Sequence, residues 1–528
     1  MPSSVASAAV LVAVAALGIA GSPAAPAGAA PPAGALSAPA GVTAARPGLA
    51  ATSLGSDLTT TALRSDPTAA ALSSGLTAGA LRNSLTAAAS RSSLTAAASR
   101  NSLTAAAPRS GLTAATRRIG RETLPVNDGW AAAGPGTTGG STADDAHVTV
   151  VRNRAELVTA LGGDNATNTT DATPKIVYVS GKIDLRVDAD NNPVGCDAFA
   201  DPDYSLDAFL AAYDPAVWGT TTKPSGPLED ARARSAKNQG ATTKINVGGN
   251  TTIIGINGGR LTHGSLALTG VSNVIIRNVE ATDAADCFPA WDPTDGSTGN
   301  WNSLYDLISL SAATNVWIDH NTLSDGNNHD EDQPLYFGRP YQVHDGASDI
   351  IKGSDYVTVS YNDYYDHDKT MLIGSTDTPG VDVGKLRVTV HHNRFGNVLQ
   401  RAPRVRFGQV DVYDNLYVAT DSGYQYSLGV GVESSIYAEN NYFKLSAEVP
   451  AANIVHYWKG TKITALGSLV QVGNKVQPVD LVAAYNAAYD PDLTPDAGWT
   501  PTLRTRMDPA WAVPQVVAGS AGIRHLGC

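Results

Sequence analysis

Two groups of residues in this chain carry types and spacings that could do chemistry. The first is basic. RAPRVRFG (401–408) sets Arg401, Arg404 and Arg406 close together, and Lys369 lies upstream in HDKTMLIGS. In an acidic chain such a cluster reads as a site for an anion, or as charges paired with surface carboxylates. The second is acidic: Asp306 in YDLISL, and Asp345 and Asp349 in HDGASD. On a strand, positions four apart lie about 13 Å from each other, too far to share one ion. Gly346 permits a tight turn that brings both carboxylates to one point. Calcium takes several oxygens at about 2.3–2.6 Å and tolerates irregular geometry, so the three Asp are candidate ligands. Spacing alone also allows solvated charges.

Something must hold these groups in place. After residue 250 the chain is a run of short β-branched or aromatic segments, each ending near an Asn: Asn257, Asn278, Asn321, Asn362, Asn393, Asn415 and Asn441. Alternating apolar residues predict strands. The shorter spacings, near 22 residues, predict one turn of a coil, and the longer ones a turn with an inserted loop. Asn suits the bends because it tolerates the left-handed region and bonds neighbouring backbone. Stacked copies could pair their amides along the axis. A β-sandwich would space its strands every 8–12 residues or so. The wider period predicts an all-β solenoid, a parallel β-helix, with long inserted loops. Two helices are expected earlier, over 154–161 and 206–213.

Composition narrows the function. The chain has 528 residues, 43% hydrophobic and 16% charged, enough to bury a large core. Its formal net charge is −12. Residues 1–116 carry six Arg and two Asp, so the remainder is more acidic still. That balance argues against general nucleic-acid binding. Three cysteines, with no CxxC pair, exclude a disulfide-dense scaffold and a zinc ribbon.

The N-terminus reads as a secretory signal over 1–29: an apolar run at 5–20, then small residues with AxA-like sites, although MPSS carries no basic residue. No later stretch is long and apolar enough to span a membrane. Residues 30–122 read as a low-complexity linker. Within it, units such as SLTAAASRS (84–92) repeat every nine residues. Nine residues of helix rotate by about 900°, so successive Leu face opposite sides, and no apolar stripe forms. A flexible spacer is expected; a repeat expansion without a role is the alternative. The folded part is then 123–528. Export also favours a Cys196–Cys287 disulfide, with pairings to Cys528 left open.

The stretches WNSLYDLISL, NVWIDHNTLSDG, HDGASDIIKGSDYVTVSYNDYYDHDKTMLIGS and VTVHHNRFGNVLQRAPRVRFGQVDVYDNLY resemble the bacterial pectate lyases of polysaccharide lyase family 1, over roughly 145–450. The resemblance implies a right-handed parallel β-helix. It implies a secreted, calcium-dependent enzyme that cleaves de-esterified pectin, polygalacturonate, by β-elimination. Carried over by motif, Asp306, Asp345 and Asp349 match the calcium positions and Arg401 the catalytic base. Lys369 and Arg406 match residues that act on and hold the substrate, and Arg404 lies with them. Asp319 and His320 are expected to be scaffold. One family branch has a further Asp two positions before the one matched by Asp306; here it is Leu304. A monomer is expected.

Other classes fit less well. A polygalacturonase would need a carboxylate acid/base pair without calcium. A pectin lyase would not need the three Asp. A non-catalytic β-helical pectin-binding or surface-adhesion protein suits the repeats, but not the Arg401/Lys369/Arg406 set.

Overall fold

The computed structural model describes residues 112–420 and 423–527. The segment expected to be a secretory signal and nearly all of the nine-residue repeats lie outside the described residues, as does Cys528. The chain coils into a right-handed parallel β-helix with three columns of strands. Column A holds, among others, Ser272–Arg277, Thr314–Asp319, Asp355–Ser360, Val388–His391, Gln409–Tyr413 and Ser435–Glu439. Column B holds Glu280–Thr282, Thr322–Ser324, Asp363–Lys369, Arg394–Gln400, Leu416–Ala419 and Tyr442–Leu445. Column C is an eight-stranded parallel sheet from Lys244–Asn246 to Val455–Trp458. The long strand Thr251–Thr262 pairs with A at one end and B at the other, which joins those columns into one sheet.

The alternating pattern explains the core. In column A, Val316, Val357, Val388, Val410 and Ile436 stand in register, and all are fully buried. Each such side chain contributes about 1.5–3 kcal/mol by leaving water. In column B the inward rings of Tyr364, Phe395, Tyr417 and Phe443 stack with centroids 5.2, 4.9 and 4.5 Å apart. The solenoid's last edge is blunted by an antiparallel strand, Lys475–Pro478, and by the helix Leu481–Asn486, whose Leu481, Val482 and Tyr485 close the core.

The predicted amide ladder exists at the A–B corner. Asn321, Asn362, Asn393, Asn415 and Asn441 form a continuous file, each Oδ1 accepting from the backbone N–H and side-chain amide of the Asn one coil before. For the first rung the N–H that Asn321 receives is that of Val279. The expected register is off by one at that end. Asn278 pairs in register with His320, not Asn321. The left-handed residue is the one before each ladder Asn, namely His320, Tyr361, His392, Asp414 and Asn440, and in the first coil Asn278, before Val279, all with φ of 53–55°. The ladder amides are chosen for hydrogen bonding, and the bend falls on their neighbours.

Both expected helices form. Arg154–Leu161 is closed by a reciprocal cap: Glu156 N–H donates to Asn153, and Arg152 N–H donates to Glu156. Leu206–Tyr213 starts on Ser205. A third and longer helix, Pro227–Thr243, has no apolar period, because its inward face is polar. Arg232 there donates to Phe288 O, and Gln239 exchanges hydrogen bonds with Ala285 O and Cys287 N–H. Cys196 and Cys287 are bonded, with Cα atoms 5.5 Å apart. The tail of the expected linker is folded: Ala114–Gly120 is a helix capped by Thr113, and its Ile119 packs with Ile176, Tyr178 and Ile254. Among the described residues no helix is long and apolar enough to cross a membrane.

Candidate active site

The predicted site residues converge on the other end of column B, at the B–C corner, in successive coils. Asp306 lies two residues before the column-C strand Ile308–Ser311. Asp349 lies in the next one, Ser348–Ile351, opposite Ser309. Lys369 ends the column-B strand Asp363–Lys369 and bridges to Gly346. One coil on, Lys369 pairs with Gln400, and Arg401 follows at φ 59°. Coils stack about 4.8 Å apart, so two acidic coils, a Lys coil and an Arg coil form one graded file.

At the acidic end, the turn works as the glycine suggests. Asp306 Oδ1 accepts the Gly346 N–H at 3.0 Å, and Asp349 Oδ1 accepts Leu372 N–H at 2.9 Å. A Cβ at Gly346 would sit 2.3 Å from Asp349 Oδ1 and 2.9 Å from Asp306 Oδ1. Only a glycine leaves the space that the two carboxylates share. Asp349 is buried, while Asp306 and Asp345 are half-buried. Burial, and then the charge of Asp345, push the Asp306 carboxyl up to about 6. Burial and the charges of Asp306 and Asp345 push Asp349 well above the usual range. This is a set of oxygens with too little positive charge near it. Lys369 Nζ stands 3.9 Å from Asp345 Oδ1. The all-oxygen donor set and the cradle at Gly346 fit a hard divalent cation such as Ca²⁺.

At the basic end, Lys369, Arg401, Arg404 and Arg406 are all buried. Lys369 is aimed by Gln342, whose Oε1 accepts from Nζ at 2.7 Å; Gln342 in turn donates to Asp368 Oδ2, and Gln400 donates to Asp368 Oδ1. Arg401 Nε is buried without a hydrogen-bond partner. Burial pulls the Arg401 guanidinium down, but the fields of Tyr426, Asp345, Asp349 and Asp368 outweigh it and hold it above its ordinary value. Arg406 is tied down, with Nε to Asp377 Oδ1 at 2.6 Å and Nη1 to Gly374 O at 2.9 Å. Arg404 lays its guanidinium 3.9 Å over the Trp458 ring. A cleft of about 440 Å³ opens against Gln342 and Asp368, the residues that aim Lys369, and is lined also by Arg339 and Trp301.

Asp319 and His320 lie away from this corner. Asp319 accepts from Arg277, His320 and Ser360, a set of partners that braces the A–B corner. Leu304 is exposed, and its carbonyl accepts from Lys244 Nζ. Sequence reasoning missed Gln342 and Asp368. Their only signal is spatial, since Gln342 is 27 residues from the lysine it aims.

A family model described as pectate lyase matches residues 217–491. A pectate lyase of Bacillus subtilis is 45% identical over 412 residues, covering 77% of this chain and 94% of that protein. Pectate lyase D of Dickeya chrysanthemi is 37% identical, covering 71% and 84%. Among solved structures, a thermostable pectate lyase superposes with a TM-score of 0.75 at 46% identity, over 76% of this chain and 98% of that one. A pectate lyase bound to a hexasaccharide gives 0.71 at 44%, over 76% and 98%. With this extent of match, over the coils that carry the graded file of charges, the chain belongs to the pectate lyase family and is a polysaccharide lyase.

Proposed function

We propose that the chain is a secreted, calcium-dependent lyase that cleaves α-1,4-linked polygalacturonate by β-elimination, releasing 4,5-unsaturated oligogalacturonates. One observation carries this reading. A carboxylate cradle and a buried arginine share one corner of the solenoid, two coils apart, with Lys369 between them.

Asp306, Asp345 and Asp349 would hold the cation. Bound there, calcium supplies divalent charge against the uronate C6 carboxylate and so acidifies the C5 proton. Lys369, held by Gln342, and Arg406, held by Asp377, present fixed positive charge to the same carboxylate. Arg404 adds to that field. Arg401 Nε–H is buried and makes no hydrogen bond, so no acceptor at that nitrogen holds its proton. The C5 proton passes to the guanidine, the C5–H electron pair becomes the C4–C5 double bond, and the C4–O bond breaks with its pair on the glycosidic oxygen, which takes a proton from water.

Arginine is a poor base while charged, since its free pKa exceeds about 12. The fields that hold the Arg401 proton come in part from Asp345 and Asp349. Neutralising those two carboxylates weakens that hold, leaving Tyr426 and Asp368 against the downward pull of burial. Two of the acidic residues that would bind the ion therefore also bear on whether Arg401 can act as a base.

The test is polygalacturonate digestion followed by the ultraviolet absorbance of the unsaturated product. Activity should vanish in chelator, return with added Ca²⁺ and rise toward alkaline pH. Full activity in excess chelator would sink the calcium reading. Binding without product would favour an adhesin, and saturated product a hydrolase.

A further inference from the structure

Far from the B–C corner, the A–B corner carries a second group of metal-capable side chains. Among the described residues, His392, Asp414 and Asp508 each place one ligand atom within 4.8 Å of the other two. All three are buried. His392 and Asp414 are the left-handed corner residues of adjacent coils, which stacks their side chains outside the barrel. Asp508 comes from the C-terminal segment that runs across them.

The distances have a definite size. His392 Nε2 lies 3.1 Å from Asp508 Oδ2 and 3.6 Å from Asp414 Oδ2. A tetrahedral ion with ligand bonds of about 2.0–2.1 Å requires ligand-to-ligand edges of about 3.3 Å. The two measured edges bracket that value. A calcium ion, at about 2.4 Å and with six or more oxygens, fits neither the edges nor the nitrogen donor.

The surroundings match those of a held metal. Asp508 Oδ1 is fixed by Arg506 Nε and Nη2, which leaves Oδ2 facing the imidazole. Asp508 N–H donates to Asp414 Oδ2, which orients that carboxylate. Asp414 Oδ1 is buried and has no hydrogen-bond partner. On the far side of the ring, His392 Nδ1 lies 2.8 Å from His391 Nδ1. A ligating His needs such a partner for its other nitrogen. Tyr361 stacks on the imidazole at 4.7 Å and fixes its plane.

We propose that His392, Asp414 and Asp508 form a structural site for a zinc-class divalent ion, with water as fourth ligand, that fastens the C-terminal segment to the solenoid. The alternative is a metal-free polar network in which Arg506 and the His391/His392 pair compensate the carboxylates. Neither reading depends on the proposed calcium chemistry.

The full folded chain, stripped with chelator and then kept in saturating Ca²⁺, is titrated with Zn²⁺ and with Co²⁺. Calcium occupies hard all-oxygen sites, so uptake reports a nitrogen-containing one. We expect one equivalent of zinc retained per chain through dialysis, a melting temperature raised by several degrees, and the intense visible bands of tetrahedral cobalt. Asp349→Asn should keep all three signals, whereas Asp414→Asn and His392→Gln should lose them. No stoichiometric uptake by the wild-type chain overturns the site, as does loss of uptake in Asp349→Asn. If the corner variants fail to fold, the wild-type cobalt spectrum and melting shift decide alone: weak octahedral bands or an unmoved melting temperature refute it.

Discussion

Column B begins and ends in corners built to opposite rules. At the A–B corner the Asn file satisfies itself: each ladder amide is both donor and acceptor to the coils on either side. At the B–C corner the same one-per-coil stacking is used for charge, and it leaves Asp306 and Asp349 displaced upward and Arg401 Nε without a partner. A solenoid offers both outcomes at the same spacing. The first stabilises the coil; the second stores unbalanced charge that a cation and an anionic sugar can relieve.

The sharpest way to break this contrast is Arg401→Lys. Charge is kept, but the planar fork and the buried Nε are lost. Turnover on polygalacturonate should fall by about 10²–10⁴-fold, the range of a general base, with oligogalacturonate binding changed only a few-fold. Normal turnover would remove Arg401 from the base role. Next is Asp349→Asn, which takes one anionic ligand from the cradle. The Ca²⁺ concentration for half-maximal activity should rise by at least about tenfold, with unfolding little affected, since the site is strained without metal. An unchanged requirement would mean the ion sits elsewhere.

At the other corner the expected effect moves to stability. Asn393 accepts from Asn362 N–H and its amide, and donates to Val359 O, His391 O and Asn415 Oδ1. Asn393→Ala leaves several of these buried groups unpaired, at about 1–3 kcal/mol for each one left unsatisfied. Thermal unfolding should drop by several degrees, while activity well below the transition stays within about twofold. If activity falls and stability does not, the division between corners is wrong.

The contrast also explains what the sequence made legible. The solenoid was readable because each coil repeats its cost and its pattern: an alternating strand, then an Asn. The register slip at Asn278 arose because two adjacent corner positions both favour Asn, one for its φ and one for its amide. The helix Pro227–Thr243 was hidden because its buried face is Arg232 and Gln239 rather than apolar residues. The charged site was legible as residue types, and the turn at Gly346 as a means of gathering them. Gln342 and Asp368 were not, because loops of variable length decide which distant side chain reaches Lys369. The folded stretch 112–122 was lost inside the Ala-rich texture that precedes it.

The smallest effect tests the stored charge directly. In chelator, Asp306 has its carboxyl held up to about 6, against an ordinary value near 3.8 when unfolded, by burial and by Asp345; Asp349 is displaced in the same direction. Between those values the folded chain binds more protons than the unfolded one, so stability declines as pH rises. The metal-free protein should therefore melt progressively lower from about pH 4 through pH 6, and continue downward as Asp349 ionises. With Ca²⁺ saturating, ionised carboxylates become ligands, and the slope over the same window should flatten or reverse. Asp306→Asn should remove part of the decline in chelator. Calorimetric scans across that range, with and without calcium, check it: matching slopes in the two series would show that the B–C corner holds no unbalanced charge for the ion to relieve.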